Sequence, residues 1–346
     1  MKALPLEILS DFGKVLASIQ ASGIWPGTLA VNLMAMLPKP AGGERTVAKT
    51  SLWWRIFCRG RSGVVRAWER SVVHDCDKAV KGTSALEVAA ERLLKAEVGE
   101  LTGQHSFSAL WDIEKFFDSI SMDKLLVACR RLSYPATDLC LAATVHQCPR
   151  ILQHKHACSR DVHVTRSVLP GCLHAVPFTR AAMYETVEET NKDLAESTIY
   201  VDDFAQQCVH EDIGVVVQAG IQATRSFVVG VQRLRLNISA KSTIVSSSPA
   251  IARSIGSSLQ QLGVHVAISD NCRDLGVNYS ACSKRNDSIM KQRLDKVSNR
   301  VKKVRGFTGV VRAARKLGKS GVMPQACWSA DVMGLTHAQI NQTRSS

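Results

Sequence analysis

The stretch 197-STIYVDDFAQQ-207 decides how the rest of this sequence is interpreted. Its first residues, 197–201, are β-branched or aromatic with one exception, which predicts a strand. Two carboxylates, Asp202 and Asp203, stand at the end of that strand. Adjacent acids repel each other, so a partly buried pair needs compensation. A turn that leaves both acids in water would explain the pair, and so would a divalent cation held between them. The dipeptide alone leaves both interpretations open.

The composition indicates a folded protein with a negatively charged partner. With 346 residues, 45% apolar and 21% charged, the chain can form a large core and more than one lobe. Its formal net charge of +14 favours nucleic acid as a partner, ahead of an anionic membrane surface.

No apolar run approaches about 18 residues, so we predict no membrane span. Eleven scattered cysteines without a CxxC pair predict neither a disulfide framework nor a zinc site, and indicate an intracellular protein.

Most of the net positive charge lies near the end of the chain. Residues 284–319 contain thirteen Lys or Arg and only two acids. Five apolar residues recur there at steps of three and four, which predicts one apolar stripe on a helix: Met290, Leu294, Val297, Val301 and Val304. An ordinary solvated face is the alternative, but acids that could pair with the basic residues are almost absent. We therefore predict a phosphate-binding surface. Its residues are Lys291, Arg293, Lys296, Arg300, Lys302 and Lys303.

A second acidic strand end lies upstream. In 107-FSALWDIEKFFDSI-120 an apolar strand is followed by Asp112. If this strand and the 197–201 strand are neighbours in a sheet, Asp112 joins Asp202 and Asp203 in one site. Two-metal nucleotidyl transfer uses such a set of carboxylates to hold two Mg²⁺ ions about 3.5–4 Å apart. Magnesium prefers oxygen ligands, and Mn²⁺ is a possible substitute.

These two segments resemble the catalytic motifs of reverse transcriptases (RNA-directed DNA polymerases) of the non-LTR retrotransposon and group II intron type. That family has D-x-x-K-x-F-D in the first segment and Y-x-D-D in the second. The matching residues are Asp112, Lys115, Phe117, Asp118, Tyr200, Asp202 and Asp203. The resemblance implies that Asp112 and Asp202 carry most of the metal coordination, with Asp203 accessory. It also implies that Phe117 excludes a ribose 2′-OH and so selects deoxynucleotides, although a purely structural aromatic is the alternative.

Three further stretches extend the resemblance. The segment 37-LPKPAGGERTVAK-49 resembles the family's fingers hairpin, which implies that Lys39 and Arg45 approach the nucleotide triphosphate. The segment 234-LRLNISAKSTIV-245 matches at Lys241, which would assist pyrophosphate departure. The segment 273-RDLGVNY-279 resembles the hairpin that supports the primer, at Leu275 and Gly276. An ordinary glycine hairpin and a solvated turn lysine are the alternatives for the first two.

One motif departs from the family pattern. Where the family has G-x-x-Q-G-x-x-x-S-P, this chain has 167-SVLPGCLHAVPF-178. Gly171 aligns with the second glycine and is a predicted nucleotide-binding residue. Pro170 replaces the expected glutamine and removes a backbone donor. The departure concerns template grip more than metal binding, and leaves open whether activity is weak or lost.

Together these features predict an α+β right-hand polymerase, with a small antiparallel palm sheet backed by helices. Fingers are expected over 1–105 and 125–165, palm over 106–280 and thumb over 281–346. We expect the polymerase portion of a longer retrotransposon-like element, located in the nucleus, acting on an RNA template, a DNA primer and dNTPs without a membrane. An RNA-dependent RNA polymerase is one alternative, which Phe117 disfavours. A catalytically inactive nucleic-acid-binding protein that keeps the basic thumb is the other.

Overall fold

The computed structural model describes residues 5–39, 42–190, 194–281 and 287–345. It is an α+β protein, which confirms the predicted class. The chain divides into two compact units. The first unit comprises Met1–Asp75, Ile113–Glu188 and Gly230–Asn237, and the second comprises Cys76–Asp112, Glu189–Val229 and Ile238–Ser346. Both units are discontinuous in sequence, and the division into fingers, palm and thumb stays a prediction.

The secondary structure alternates between helices and short strands. The strands are β1 (Asn32–Pro38), β2 (Glu44–Lys49), β3 (His105–Trp111), β4 (Arg150–His154), β5 (Ala157–Cys158), β6 (Glu196–Tyr200), β7 (Asp203–His210), β8 (Thr243–Ser246), β9 (Ala267–Ile268), β10 (Asn271–Asp274) and β11 (Val277–Ser280). The helices are α1 (Leu6–Ser22), α2 (Leu52–Val72), α3 (Ala85–Leu101), α4 (Phe116–Ser119), α5 (Met122–Arg131), α6 (Ala136–Gln147), α7 (Ala175–Thr190), α8 (Ile213–Arg233), α9 (Pro249–Gln260), α10 (Ser288–Val310), α11 (Arg315–Leu317), α12 (Met323–Cys327), α13 (Ala330–Met333) and α14 (His337–Ser345).

Each unit has its own sheet. In the first unit the strand order is β2-β1-β4-β5, with β1 and β4 parallel. In the second unit the order is β6-β7-β3-β8-β9. This second sheet is antiparallel except for the β8–β9 pair, so it is mixed where a purely antiparallel sheet was predicted. The two acid-bearing segments found in the sequence are neighbours in it, because β3 pairs directly with β7.

Helix α8 covers one face of the second sheet through aromatic contacts. The ring of Phe227 stacks on Trp111 of β3 at 4.9 Å and lies 5.1 Å from the ring of Phe204 on β7. Between the rings, Trp111 Nε1 donates to Gln206 Oε1 (2.9 Å), and Gln206 Nε2 donates to the carbonyl of Ala223 (2.9 Å). The buried amide is thereby satisfied at both ends, and its bonds fix the helix against the strands.

Helix α8 is also the one helix within the described residues that is long and apolar enough to cross a membrane. An 18-residue window has a mean hydropathy of 1.2, and 44% of that window is buried inside the protein. Gln218, Gln222 and Arg225 interrupt the apolar residues of this helix, so it is not a continuous apolar run. Its buried residues recur at helical spacing, as in a core helix packed on a sheet. They include Val216, Ala219, Ala223, Phe227, Val228 and Val231.

A buried polar network covers the opposite face. The Arg92 guanidinium of α3 donates twice to the Asp274 carboxylate at the end of β10 (2.8 and 2.6 Å), and both residues are buried. Gln207 of β7 donates to the carbonyl of Arg92 (2.9 Å) and to the hydroxyl of Tyr279 on β11 (3.1 Å). The Tyr279 hydroxyl also bonds with Ser108 of β3 (2.5 Å). The network therefore joins α3, the sheet and the β10–β11 hairpin.

We expect Asp274→Leu to lower the free energy of unfolding by about 3–5 kcal/mol, because it leaves the Arg92 charge uncompensated in the interior. Urea denaturation measures this change. The double variant Arg92→Met/Asp274→Leu should recover most of the loss, since it removes both charges. Asp11→Asn removes an exposed ion pair with Lys14 and should cost less than about 1 kcal/mol. A cost for Asp274→Leu no larger than that of the exposed control would contradict the prediction.

Candidate active site

Two of the three predicted acids lie at adjoining strand ends, at one edge of the second sheet. Strand β3 ends at Trp111, which lies opposite Phe204 of β7. Asp112 is the next residue after Trp111, and Asp203 is the residue before Phe204. Opposite positions in an antiparallel ladder have Cα atoms about 4.5–5.5 Å apart, so one further step along the ladder brings Asp112 beside Asp203. The neighbouring-strand arrangement predicted from the sequence is therefore present in the backbone.

The alternation of side chains decides which face these acids share. Side chains that are four residues apart on a strand lie on the same face of the sheet. Asp203 therefore shares a face with Gln207 on β7. Asp112, which directly follows β3, shares a face with Ser108. Ser108 and Gln207 both bond to Tyr279. The acids therefore stand at the edge of the face that carries the β10–β11 hairpin.

The third acid, Asp202, lies in a tight turn between β6 and β7. Tyr200 pairs with Asp203, which leaves Val201 and Asp202 as a two-residue loop. Val201 has φ = 64°, as the first position of a type II′ turn requires. Glycine normally occupies that position, and a β-branched residue there is a true outlier. Strain of this kind persists only where the surroundings enforce it, and it concentrates at functional sites.

The pKa values of two of the three acids, Asp202 and Asp203, are raised. Loss of water around the carboxyl group, followed by the charges of Asp202, Asp274 and Asp112, raises the pKa of Asp203 to about 6, while Arg92 opposes the shift. Loss of water is also the main cause that raises the pKa of Asp202, with Asp112 adding to it and a bond from its own backbone N–H opposing it. Asp202 and Asp203 are not enclosed, because both side chains still reach solvent. Neighbouring atoms displace only part of the water around their carboxyl groups. The edge therefore carries uncompensated negative charge.

That charge and the donor atoms fit magnesium, but the side chains are not gathered around one point. Across residues 5–39, 42–190, 194–281 and 287–345, no three His, Cys, Asp or Glu side chains are arranged to hold a metal ion. Carboxylate oxygens are the ligands that Mg²⁺ prefers. Asp112, Asp202 and Asp203 are the residues that would hold such an ion.

The backbone of Asp112 is held by the loop that precedes β8. The Asp112 N–H donates to Ser242 Oγ (3.0 Å), and its carbonyl accepts from the Ser239 N–H (2.8 Å). Lys241 lies between these serines with an exposed side chain, so the loop brings the predicted lysine to the same end of the sheet as Asp112. Sequence reasoning singled out Lys241 and missed the serines. Their position on either side of Lys241 was the available signal.

The predicted primer-supporting turn is tightly constrained. Leu275 and Gly276 both have positive φ (46° and 87°), which defines a type I′ turn between β10 and β11. The indole of Trp328 donates to the Leu275 carbonyl (3.2 Å). A Cβ on Gly276 would lie 2.6 Å from Trp328 Nε1, so glycine is required there. Arg293, predicted to bind nucleic acid, donates instead to the carbonyls of Gly276 and Trp328.

Helix α10 has the predicted apolar stripe. Met290, Leu294 and Val297 are buried, and Val301 and Val304 pack beside Val297. Apart from Arg293, the predicted basic residues are exposed on the other sides of the helix. Lys291 pairs with Asp287, and Arg300 bonds to Gln325. Lys296, Lys302 and Lys303 have no acidic partner among the described residues. Lys284 and Arg285, which begin the basic segment, lie outside those residues.

The remaining predicted residues belong to the first unit. Lys39 and Arg45 are exposed on the β1–β2 hairpin, while Pro40 and Ala41 in its loop lie outside the described residues. Gly171 has φ = 87° and follows Pro170 in a turn closed by the Cys172 N–H to the Leu169 carbonyl (3.2 Å). Proline followed by a glycine with positive φ is the arrangement of a type II turn. The proline that replaces the family's glutamine therefore shapes this turn.

Phe117 is half-buried in the first unit at the start of α4. Its carbonyl accepts from the Val168 N–H (2.7 Å), and its ring lies 5.7 Å from that of Phe116. The same segment places Asp118 within 3.0 Å of Ser167 Oγ. The backbone of Phe117 is thus fixed to the 167–178 segment, while part of the ring remains accessible.

Comparison with known proteins gives only remote similarities. No family profile matches the sequence, and no curated protein matches it. The chain is similar to the structure of apo telomerase from Candida tropicalis truncated from its C-terminal domain, with a TM-score of 0.49, 11% identity and coverage of 81% of this chain and 60% of that chain. For the same organism's telomerase in complex with a TWJ fragment of telomeric RNA, the TM-score is 0.48, the identity 11% and the coverage 82% and 49%. For a further structure of apo telomerase from Candida tropicalis, the TM-score is 0.49 and the identity 14%, with coverage of 82% of this chain and 54% of that chain.

This chain thus spans about half to three fifths of those telomerase chains. At TM-scores below 0.5, the similarities identify neither the family nor the activity of this protein.

We expect the Asp203 pKa to fall from about 6 toward its ordinary value in Asp202→Asn, because the largest neighbouring charge is removed. A carboxyl with a raised pKa stabilises the fold below its ordinary pKa and loses that contribution as pH rises through 6. The parent should therefore lose more stability than the variant between pH 4 and pH 7. Carbon-13 NMR titration of the Asp203 carboxyl measures the shift. Glu211→Gln, at the far end of β7, is the matched control, and an equal effect there would contradict the assignment.

Proposed function

We propose that this protein is an RNA-directed DNA polymerase of the reverse-transcriptase type, from a retrotransposon-like element of the non-LTR kind. The observation that carries the proposal is the β3–β7 register, which brings Asp112 beside Asp203, with Asp202 in the adjoining turn. The two motifs lie about ninety residues apart in the sequence, yet their strands pair directly. A chance resemblance would give no reason for distant acids to share one edge of a sheet.

The proposed reaction is attack of a primer 3′-OH on the α-phosphate of a dNTP, with loss of pyrophosphate. Bound Mg²⁺, two ions per site, would supply activation of the attacking oxygen and neutralisation of the phosphate charge, and Mn²⁺ could replace it. Asp112 and Asp202 would hold most of the coordination, with Asp203 accessory. Lys241 would assist the departure of pyrophosphate, and Lys39 and Arg45 would contact the triphosphate.

The primer and template would be held by the β10–β11 hairpin and α10. The hairpin turn packs against the end of α10 through Arg293, so both belong to the second unit together with the acids. Lys296, Lys302 and Lys303 of α10 offer charge to phosphates, and recognition of a hybrid duplex depends on backbone shape and phosphates. Arg293 would act by holding the turn rather than by binding phosphate. A nuclear location stays a prediction.

We expect the parent protein to extend oligo(dT) on poly(rA) with dTTP and Mg²⁺ or Mn²⁺. Asp202→Asn should abolish extension, because asparagine lacks the negative charge with which the carboxylate would bind the metal ion. Gel-resolved primer extension measures both. The matched control is Asp212→Asn, an exposed acid at the far end of β7. Extension that survives in Asp202→Asn would refute the proposal. Salt-sensitive binding of the hybrid without any extension would favour the catalytically inactive binding protein.

We expect Phe117→Ala to raise incorporation of ribonucleotides relative to deoxynucleotides by about tenfold or more, because the ring no longer opposes a 2′-OH. Single-nucleotide incorporation with dTTP and UTP gives the ratio. Phe117→Tyr keeps the ring and should leave the ratio near that of the parent. If the parent already prefers UTP, the RNA-dependent RNA polymerase becomes the better assignment.

A further inference from the structure

Helix α2 presents a row of arginines that the proposed site does not use. Arg55, Arg59, Arg66 and Arg70 are all exposed. At 3.6 residues per turn they fall within a sector of about 60°, and they extend over about 22 Å of helix. We call these four residues the arginine face. The opposite side of α2 is apolar and buried, through Trp54, Phe57, Cys58, Val65 and Trp68.

The arginine face has no acidic partner among the described residues. The one acid on α2, Glu69, is engaged by Arg180 of α7. Arg66 donates to Ser62, from Nη2 to the hydroxyl (2.7 Å) and from Nε to the carbonyl (3.0 Å). By contrast Arg61, which lies off this face, forms an ion pair with the buried Asp138 (2.6 Å). Arg61 thus stabilises the fold through its ion pair, whereas the charges of the arginine face are exposed to solvent.

A cavity of about 340 Å³ opens along one edge of the arginine face. One wall comes from α2, through Arg59, Ser62 and Arg66, and the other from Leu173 and His174 of the loop before α7. The Leu173 side chain is 54% exposed, so it offers apolar surface to a ligand in the cavity. The cavity thus combines cationic groups with an exposed apolar side chain, and the one acid in its lining, Glu69, is paired with Arg180. Its volume falls within the range of small-ligand pockets.

We propose that the arginine face binds the backbone of a single-stranded RNA, with one unstacked base in the adjacent cavity against Leu173. A helix that binds a membrane surface places apolar residues in the lipid interface, but the apolar side of α2 is buried within the protein. Charge is therefore the main attraction that this face offers, which favours phosphates on a nucleic-acid strand. Single-stranded RNA is recognised by such a combination of arginines and pockets for splayed bases. The choice of RNA rests on the proposed function.

The test measures binding of oligo(U) to the full chain by fluorescence anisotropy over a series of salt concentrations. In Arg59→Gln/Arg66→Gln we expect affinity at 0.15 M salt to fall about tenfold, and the slope of log K against log salt to decrease by about 1.4, as for two lost phosphate contacts. The matched control is Arg130→Gln/Arg160→Gln, which removes two exposed arginines elsewhere in the first unit. The control should keep the parent's slope. Equal slopes in the two double variants would overturn the proposal.

Two further arms test the base and the ligand class. The parent should bind oligo(U) more tightly than an abasic strand of equal length, and Leu173→Ser should reduce that preference. Equal binding of the two strands by the parent would overturn the role of the cavity. If Arg59→Gln/Arg66→Gln lost binding only to phosphatidylserine vesicles, the face would be a membrane surface. Circular dichroism verifies folding of each variant. RNA binding is measured without primer extension, so failure here is distinct from failure of the polymerase assignment.

Discussion

The pairing of β3 with β7 is the constraint on which the candidate site depends. Each acid sits at a strand end, so the partner strand and its register decide whether the acids meet. With Trp111 opposite Phe204, Asp112 comes beside Asp203. A slip of one residue would turn every side chain of the strand to the other face. Trp111 and Phe204 are buried against Phe227, and this packing opposes such a slip. The aromatic core under α8 therefore fixes the strand register that sets the positions of the acids.

The opposite face of the sheet uses polar bonds where the α8 face uses aromatic packing. The Arg92–Asp274 pair is costly to desolvate, and a buried ion pair is weak evidence for net stability. It has a further consequence here, because both charges act on Asp203, in opposite directions. The pair thus connects the position of the β10–β11 hairpin with the charge of the acidic edge. Gln207 and Tyr279 belong to the same network. The buried polar groups are therefore fully hydrogen-bonded in only one position of the hairpin on the sheet.

Both turns of the candidate site contain a residue with a strained backbone. Val201 and Leu275 both adopt positive φ at positions where glycine or asparagine would be easier. The Leu275–Gly276 turn is held by Trp328 and Arg293, whose donors satisfy its two carbonyls. The Val201 turn is held by its flanking strands. A strained turn that is fixed by its surroundings presents its side chains in one geometry, which suits a site that must align charged groups.

The sequence by itself determined the local elements: the β-rich run before Asp202, the strand that ends at Asp112 and the apolar stripe of α10 all follow from periodicity within a few residues. The tertiary structure decided what depends on partners far away in the chain. Arg293 has the same local pattern as the exposed lysines of α10, yet it bonds to the hairpin turn and Trp328. Ser242 acquires its role because the strand that follows it, β8, lies beside β3. Periodicity reports which side of an element is buried, but the identity of the group that covers it is set by contacts between distant segments, and these have no local signature.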